Sequence, residues 1–158
     1  MNRTTELELL AYVLREKHLT LSLAESCTGG GIAASVTSMP GASEYFLGCA
    51  VTYSNDAKEN VLGVSHDTLL AHGAVSEETA REMASGARRV FGSDVAASVT
   101  GIAGPGGATD EKPVGLVHIA VTDGRSFITS ANKFSGDRQD VRDASAAAVI
   151  RDILRILE

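Results

Sequence analysis

Short aliphatic runs alternate with amphipathic segments along this chain of 158 residues, and that order constrains the fold more than any other feature. The first amphipathic segment, residues 1–18, carries Leu7, Leu10, Ala11 and Leu14 at the spacing of one helical face. Buried strands are predicted at LTLSLAE (19–25), GCAVTY (48–53) and DVAASVTG (94–101). Helices between such strands cover both faces of a sheet, so the pattern predicts an α/β protein.

The second half of the chain adds an antiparallel hairpin to this sheet. GLVHIAVTD (115–123) and RSFITSANKF (125–134) are joined through Asp123-Gly124, a strong hairpin signal. Two helices are predicted in this part of the chain. One begins after the N-cap Ser76 and ends at Gly92, and the last helix begins after the N-cap Asp137. We therefore predict one domain over residues 1–158, a three-layer α/β/α sandwich with a mixed, mostly parallel sheet and the N-terminal helix packed on it.

Charge and composition exclude several classes of protein. A net charge of −6 disfavours a nucleic-acid partner, which needs a basic surface to neutralise phosphates. The apolar runs are too short to span a membrane, and the charged N-terminus does not resemble a signal peptide. Two cysteines, with no export signal, indicate a reducing cytoplasm, and the four histidines have no metal-ligand spacing. We expect a cytoplasmic protein without a structural metal.

The glycine-rich segment AESCTGGG (24–31) follows the first predicted strand. Ligands gather at the carboxyl ends of strands in open α/β sheets, and amides at the start of a helix attract anions. Candidate binding groups in this first glycine loop are Ser26, Thr28, Gly29 and Gly30; the equally weighted alternative is a tight turn. Cys27 fits a small buried residue better than a nucleophile, because no histidine lies nearby in sequence.

A second glycine-rich loop, GIAGPGGATDEKPVG (101–115), follows the third predicted strand. Its length and its glycines and prolines favour a ligand-facing loop. Lys112 could contact an anion there, and a solvated lysine is the alternative. His72, which precedes a helix, could be a proton shuttle but is interpreted as a simple loop residue.

A hydroxyl, a phenol and an amine surround the second predicted strand. Ser43 lies in the turn before it, and Tyr53 and Lys58 lie at and beyond its end. A neutral lysine can activate a serine, but lowering its pKa from about 10.4 to about 7–8 requires a dry or cationic environment. Spacing alone leaves these residues more typical of a surface than of a catalytic pair.

Several motifs nevertheless resemble one known family along most of the chain. AESCTGG, VTYSNDAK, GAVSEETAREMA, SVTGIAGPGG, EKPVG and FSGDRQDVR occur in the order seen in the CinA C-terminal family, which includes bacterial nicotinamide-nucleotide amidohydrolase. The resemblance extends from about Leu19 to the end of the chain.

The resemblance implies deamidation of nicotinamide mononucleotide to nicotinate mononucleotide and ammonia, with no metal or organic cofactor. It assigns Ser43 as nucleophile, Lys58 as general base and Tyr53 as an assisting residue. Substrate-binding positions would include those of the first glycine loop, the second loop and the last helix, namely Ser26, Thr28, Gly29, Gly30, Thr100, Gly101, Gly104 and Arg138.

Other functions and assemblies stay open from the sequence. A regulatory module could bind a nucleotide with the same loops and perform no chemistry, because a retained pocket need not turn over its ligand. An amidohydrolase could also act on a related pyridine nucleotide. An exposed sheet edge would permit a homo-oligomer.

Overall fold

The chain forms one five-stranded sheet with helices on both faces. The structure is a computed structural model and describes residues 3–158. The strands are β1 (Leu21–Glu25), β2 (Phe46–Val51), β3 (Val95–Gly101), β4 (Leu116–Thr122) and β5 (Phe127–Lys133). The helices are α1 (Arg3–Glu16), α2 (Gly31–Thr37), α3 (Asn55–Leu62), α4 (His66–His72), α5 (Glu77–Phe91) and α6 (Arg138–Ile156), with a 3₁₀ turn at Ala42–Glu44.

The sheet has the strand order β2-β1-β3-β4-β5. β1 pairs in parallel with both β2 and β3, whereas β4 is antiparallel to both β3 and β5. Four strands therefore run in one direction and only β4 opposes them. This arrangement confirms the predicted α/β sandwich with a mixed, mostly parallel sheet.

Two apolar layers hold the helices against the sheet. On one face, α1, α2 and α6 pack on side chains such as Leu21 and Leu23 of β1. On the other face, α3, α4 and α5 pack around Ala24, Leu62 and Met83. Successive residues of a strand point to opposite faces, so β1 contributes to both layers and is buried along its whole length.

The helix signals read from the sequence correspond to observed helix ends. The Ser76 hydroxyl accepts a hydrogen bond from the Thr79 N–H, and Gly92 ends α5 in a left-handed conformation. Asp137 begins α6 with a reciprocal capping box to Asp140. In the predicted hairpin, Asp123 accepts hydrogen bonds from the backbone N–H groups of the turn and connects β4 to β5.

The segment after β2 differs from the prediction. The second strand was expected at residues 48–53 but ends at Val51, because Ser54 caps a new helix, α3, by accepting from the Ala57 N–H. α3 and α4 were not predicted, since both are short. The buried side chains of α3 are Lys58 and Leu62, and a lysine does not mark an apolar face.

Close packing of α5 against α3 fixes the position of Lys58, and we expect Gly86→Ala to disturb it. A methyl group on Gly86 would lie 2.1 Å from the Leu62 carbonyl oxygen, which is backbone and cannot rotate away. We expect a loss of about 2 kcal/mol in unfolding free energy, measured by urea titration, from this overpacking. Gly31→Ala is the matched control, because a methyl group there meets nothing within 4 Å. Equal stability of the two variants would contradict the close approach of the helices.

Candidate active site

A cavity of about 240 Å³ opens at the carboxyl ends of β1, β2 and β3. This is the position at which α/β sheets hold their ligands. The second glycine loop and the start of α6 complete its walls. The predicted site residues that line it are Ser26, Tyr53, Lys58, Thr100, Gly101, Gly104 and Arg138.

Lys58 lies at the buried end of this cavity. Its side chain is only 1% exposed, and its Nζ donates to the Ser26 hydroxyl at 3.1 Å and to the Thr52 carbonyl at 2.7 Å. Among the described residues, no carboxylate forms an ion pair with it. Desolvation by burial therefore lowers the pKa of Lys58, with the nearby Cys27 thiol opposing this shift. The site provides an amine that sheds its proton more readily than an ordinary lysine.

Strand alternation brings Ser26 to Lys58. Leu21, Leu23 and Glu25 point to the face covered by α2, so Ser26, the next residue, points to the face covered by α3. α3 presents Lys58 on its buried side at that level. The contact thus depends on the alternation of side chains between the two faces of β1. It also depends on α3, a helix that was not predicted from the sequence.

Ser43 lies elsewhere. It is exposed on the 3₁₀ turn before β2 and lines a separate depression beside Thr37, Met39 and Phe46. Within the described chain, Lys58 bonds to the hydroxyl of Ser26 and makes no hydrogen bond to Ser43. The expected Ser43–Lys58 contact is therefore corrected to a Ser26–Lys58 contact within one chain.

The first glycine loop is occupied by a carboxylate of the protein itself. Glu25 is completely buried and accepts hydrogen bonds from the backbone N–H groups of Gly30, Ile32 and Ala33. It also accepts from the Thr28 hydroxyl and the Cys49 thiol. Amides that could have held a phosphate are thus already paired. Thr28, Gly29 and Gly30 are not among the residues that line the cavity, and a contact between these residues and a substrate stays a prediction.

The cysteine thiols have the properties of buried groups. Burial raises the pKa of Cys27 to about 11, and burial also raises the pKa of Cys49, next to Glu25. Both thiols therefore stay protonated near neutrality, and neither is an activated nucleophile. This agrees with the interpretation of Cys27 as a small buried residue.

The second glycine loop forms the opposite wall of the cavity. The Thr100 hydroxyl donates to the Ala74 carbonyl at 2.8 Å and so fixes the wall rather than facing a ligand freely. Lys112 donates to the His72 carbonyl at 2.6 Å, which ties the loop to the end of α4. The amine of Lys112 is therefore engaged in holding the loop.

Arg138 and Tyr53 close the rim of the cavity. The guanidinium donates to the Gly104 carbonyl at 2.7 Å and to the Tyr53 hydroxyl at 3.0 Å. Tyr53 is 62% exposed, so this bridge lies between the cavity and the solvent. It places a positive charge at the mouth of a site in a protein of net charge −6.

By its fold and its site, this chain belongs to the class of three-layer α/β/α domains that have a buried serine–lysine contact at the strand ends. The CinA C-terminal domain matches residues 4–157, and the chain belongs to that family. None of the helices in the described residues is long and apolar enough to cross a membrane, and none of their His, Cys, Asp and Glu side chains group as three or more metal ligands.

Curated and solved relatives agree with this assignment. A CinA-like protein of Citrifermentans bemidjiense is 53% identical over 148 residues, which cover 94% of this chain and 36% of the relative. A CinA-like protein of Thermotoga maritima is 45% identical over 151 residues, or 96% and 37% of the two chains. This chain thus spans little more than a third of these relatives.

Solved structures show the same fold over nearly the whole chain. The competence/damage inducible protein CihA from Agrobacterium tumefaciens superposes with a TM-score of 0.89 and 40% identity, covering 96% of this chain and 95% of that one. A competence or damage-inducible protein from Enterobacter asburiae gives a TM-score of 0.96 and 32% identity, covering 100% and 99%.

Proposed function

We propose that this chain is an amidohydrolase that converts nicotinamide mononucleotide to nicotinate mononucleotide and ammonia. The observation that carries the proposal is the dry Lys58 amine in contact with the Ser26 hydroxyl, at the end of a cavity with a cationic rim. The substrate class comes from the family resemblance. The site chemistry supports attack by a serine on a neutral carboxamide.

The proposed nucleophile is Ser26 and the proposed general base is Lys58. Neutral Lys58 takes the hydroxyl proton as the Ser26 oxygen bonds to the carboxamide carbon. The carbon–nitrogen bond then breaks, and the proton held by Lys58 passes to the departing nitrogen to give ammonia. Water attacks the resulting ester, Lys58 accepts its proton, and that proton returns to the Ser26 oxygen as nicotinate mononucleotide is released.

Charge at the cavity rim supports a nucleotide substrate. Apart from the buried Lys58, Arg138 is the only cationic residue among the described residues that line the cavity. In a protein with an acidic overall field, such a group supplies the local positive potential that a phosphate requires. Tyr53 shares a hydrogen bond with Arg138 and would orient it over the bound nucleotide.

The nucleophile is tested by comparing Ser26→Ala with wild type for ammonia release from nicotinamide mononucleotide. We expect a loss of about 10³-fold or more, because both steps need the serine oxygen. Binding measured by calorimetry should persist. Acid quenching of wild type during turnover, followed by peptide mapping, should find the acyl adduct on the peptide that contains Ser26. An adduct on Ser43 would contradict the assignment, and binding without any ammonia release would favour the regulatory module.

The activity of wild type is expected to rise with pH and then level off. The base must be neutral, and desolvation lowers the pKa of Lys58, so the neutral fraction grows as the pH rises through that lowered pKa. Measuring kcat from pH 5 to pH 9 checks the direction. A rate that falls over this range would contradict a neutral amine as the base.

A further inference from the structure

Lys58 is a buried amine with no carboxylate partner among the described side chains. It is only 1% exposed, and its hydrogen bonds go to two uncharged groups, the Ser26 hydroxyl and the Thr52 carbonyl. A buried charge without an opposite charge nearby is unfavourable. The protein alone therefore favours the neutral amine, and an anion bound at this nitrogen would favour the ammonium.

The cavity gives a ligand access to this amine. Lys58 and Ser26 both line it, and the Lys58 Nζ is 3.1 Å from the Ser26 oxygen. An ammonium has three N–H donors, and the bonds to Ser26 and Thr52 use two of them. A ligand that places a carboxylate beside the Ser26 oxygen can therefore accept a hydrogen bond from the third donor and pair with the charge.

We propose that the cavity binds the acid product, a pyridine carboxylate nucleotide, together with one proton that Lys58 takes from solvent, so that product inhibition strengthens as the pH falls. This inference rests on the proposed function, because hydrolysis at Ser26 forms the carboxylate next to Lys58. The neutral amine becomes an ammonium and pairs with the carboxylate, and no bond between heavy atoms forms or breaks. The amide substrate has no charge at that position, so the site distinguishes product from substrate by charge.

The direction of the pH dependence follows from the burial of the amine. Desolvation lowers the pKa of Lys58 in the free protein, whereas a paired carboxylate raises that pKa in the complex. Between these two pKa values the complex holds one proton more than the free protein, so the affinity for the acid falls as the pH rises, by up to about tenfold per pH unit. Acidification then slows the enzyme twice, because it protonates the base and strengthens binding of the product.

The charged and titratable groups that face Lys58 across the cavity do not take up this proton. The Cys27 thiol interacts with Lys58, and burial raises the pKa of that thiol to about 11, so it is already protonated. The Arg138 guanidinium at the rim is always charged, and the Tyr53 hydroxyl accepts a hydrogen bond from it. Lys58 is therefore the group that responds to a bound carboxylate.

The helices around Lys58 hold their own charges in other contacts. On α3, Glu59 forms an ion pair with His66. On α5, which packs against α3, Arg89 donates to a backbone carbonyl and Glu82 accepts from a backbone N–H. None of these four side chains lines the cavity, so a carboxylate bound beside Ser26 meets the charge of Lys58.

Proton uptake is measured directly by calorimetric titration of wild type with nicotinate mononucleotide, which the enzyme does not consume. Repeating the titration in buffers of different ionisation enthalpy gives the number of protons taken up on binding. From pH 6 to pH 9 we expect this number to rise towards one. Binding of the acid without proton uptake over the whole range, or no binding at all, would overturn the inference.

Ser26→Ala allows the acid and the amide to be compared in one protein, because the proposed mechanism leaves this variant without a nucleophile. Nicotinamide mononucleotide carries the same ring and the same phosphate, so proton exchange at the phosphate is common to both ligands. We expect the acid to bind about tenfold or more tightly than the amide at pH 6, and this preference to shrink about tenfold or more by pH 9. An unchanged preference between the two pH values would contradict a proton-linked carboxylate.

Lys58→Arg and Lys58→Met show which group takes up the proton. Arginine stays charged at every accessible pH, so Lys58→Arg should prefer the acid at pH 6 and pH 9 alike and take up no proton. Lys58→Met should lose both the preference and the uptake. Circular dichroism checks that each variant is folded, and the wild-type titration tests the inference if neither is. Proton uptake by folded Lys58→Met equal to that of wild type would overturn the role of Lys58.

The outcomes separate this inference from the proposed function. A wild type that releases no ammonia from nicotinamide mononucleotide, yet binds the acid with proton uptake, would contradict the proposed function and leave the carboxylate site intact. A wild type that releases ammonia, yet binds the acid without proton uptake, would overturn the inference and leave the proposed function intact.

Discussion

Replacing Lys58 with methionine is expected to lower the rate of ammonia release by about 10³-fold, the range that general-base catalysis supplies. The Lys58 amine is the group that contacts the Ser26 hydroxyl, and methionine has similar length but cannot accept a proton. The measurement is kcat with nicotinamide mononucleotide at the pH of maximal wild-type rate. Activity within tenfold of wild type would show that Lys58 is not the base.

Lys58→Arg separates a base from a fixed cation. Arginine keeps the hydrogen-bond donors but stays charged at every accessible pH, so it can hold the Ser26 oxygen and cannot deprotonate it. We expect this variant to be as inactive as Lys58→Met. Substantial activity in Lys58→Arg alone would mean that the site needs a positive charge rather than a neutral amine.

The pH dependence of stability provides an independent check on the buried amine. Because the pKa of Lys58 is lowered in the folded protein, the unfolded chain binds more protons at this group, and unfolding free energy rises with pH between that lowered pKa and the ordinary value of about 10.4. Lys58→Met lacks this contribution. Urea titrations of both proteins at pH 7 and pH 9.5 should therefore show a larger gain with pH for wild type, and an equal gain would contradict a desolvated amine.

Replacing Glu25 with alanine is expected to cost about 4 kcal/mol of unfolding free energy, since buried donors left without a partner each cost about 1–3 kcal/mol. The Glu25 carboxylate accepts from three backbone N–H groups at the start of α2 and from two side chains. A fall of about 10 °C in Tm corresponds to such a loss in a chain of this size. Calorimetric melting measures it.

Two further variants keep this prediction testable if Glu25→Ala does not fold. Glu25→Gln retains one acceptor oxygen and should show a smaller loss in the same direction. Glu82→Gln is the matched control, because Glu82 is only partly buried and accepts a single N–H, from Ser65. We expect a change within about 1 kcal/mol for this control. If Glu25→Gln is as stable as Glu82→Gln, the carboxylate does not organise the first glycine loop.

Structural features that depend on a few neighbouring residues were predicted well from the sequence. The stripe of α1, the caps Ser76, Gly92 and Asp137, and the Asp123-Gly124 turn depend on local contacts, and all appear in the structure. Helix α3 was missed because its buried face carries Lys58, a residue whose charge usually marks solvent.

The AESCTGG motif illustrates how local sequence leaves function undecided. The sequence raised two uses for its glycines, a ligand loop and a tight turn. The structure divides the motif between the faces of β1: Glu25 and Thr28 organise α2, while Ser26 faces the cavity. The alternation of side chains between the two faces of the strand, rather than the glycines, decides which residues organise α2 and which face the cavity.

By itself the sequence determined the α/β class, the order of most elements and the set of residues from which the site is drawn, because hydrophobic periodicity and capping act over a few residues. Only the tertiary structure decided which hydroxyl meets Lys58 and what fills the first glycine loop. Ser26 and Lys58 are 32 positions apart, and their contact follows from the packing of α3 beside β1. Burial also lowers the lysine pKa, and burial is a property of the folded chain as a whole.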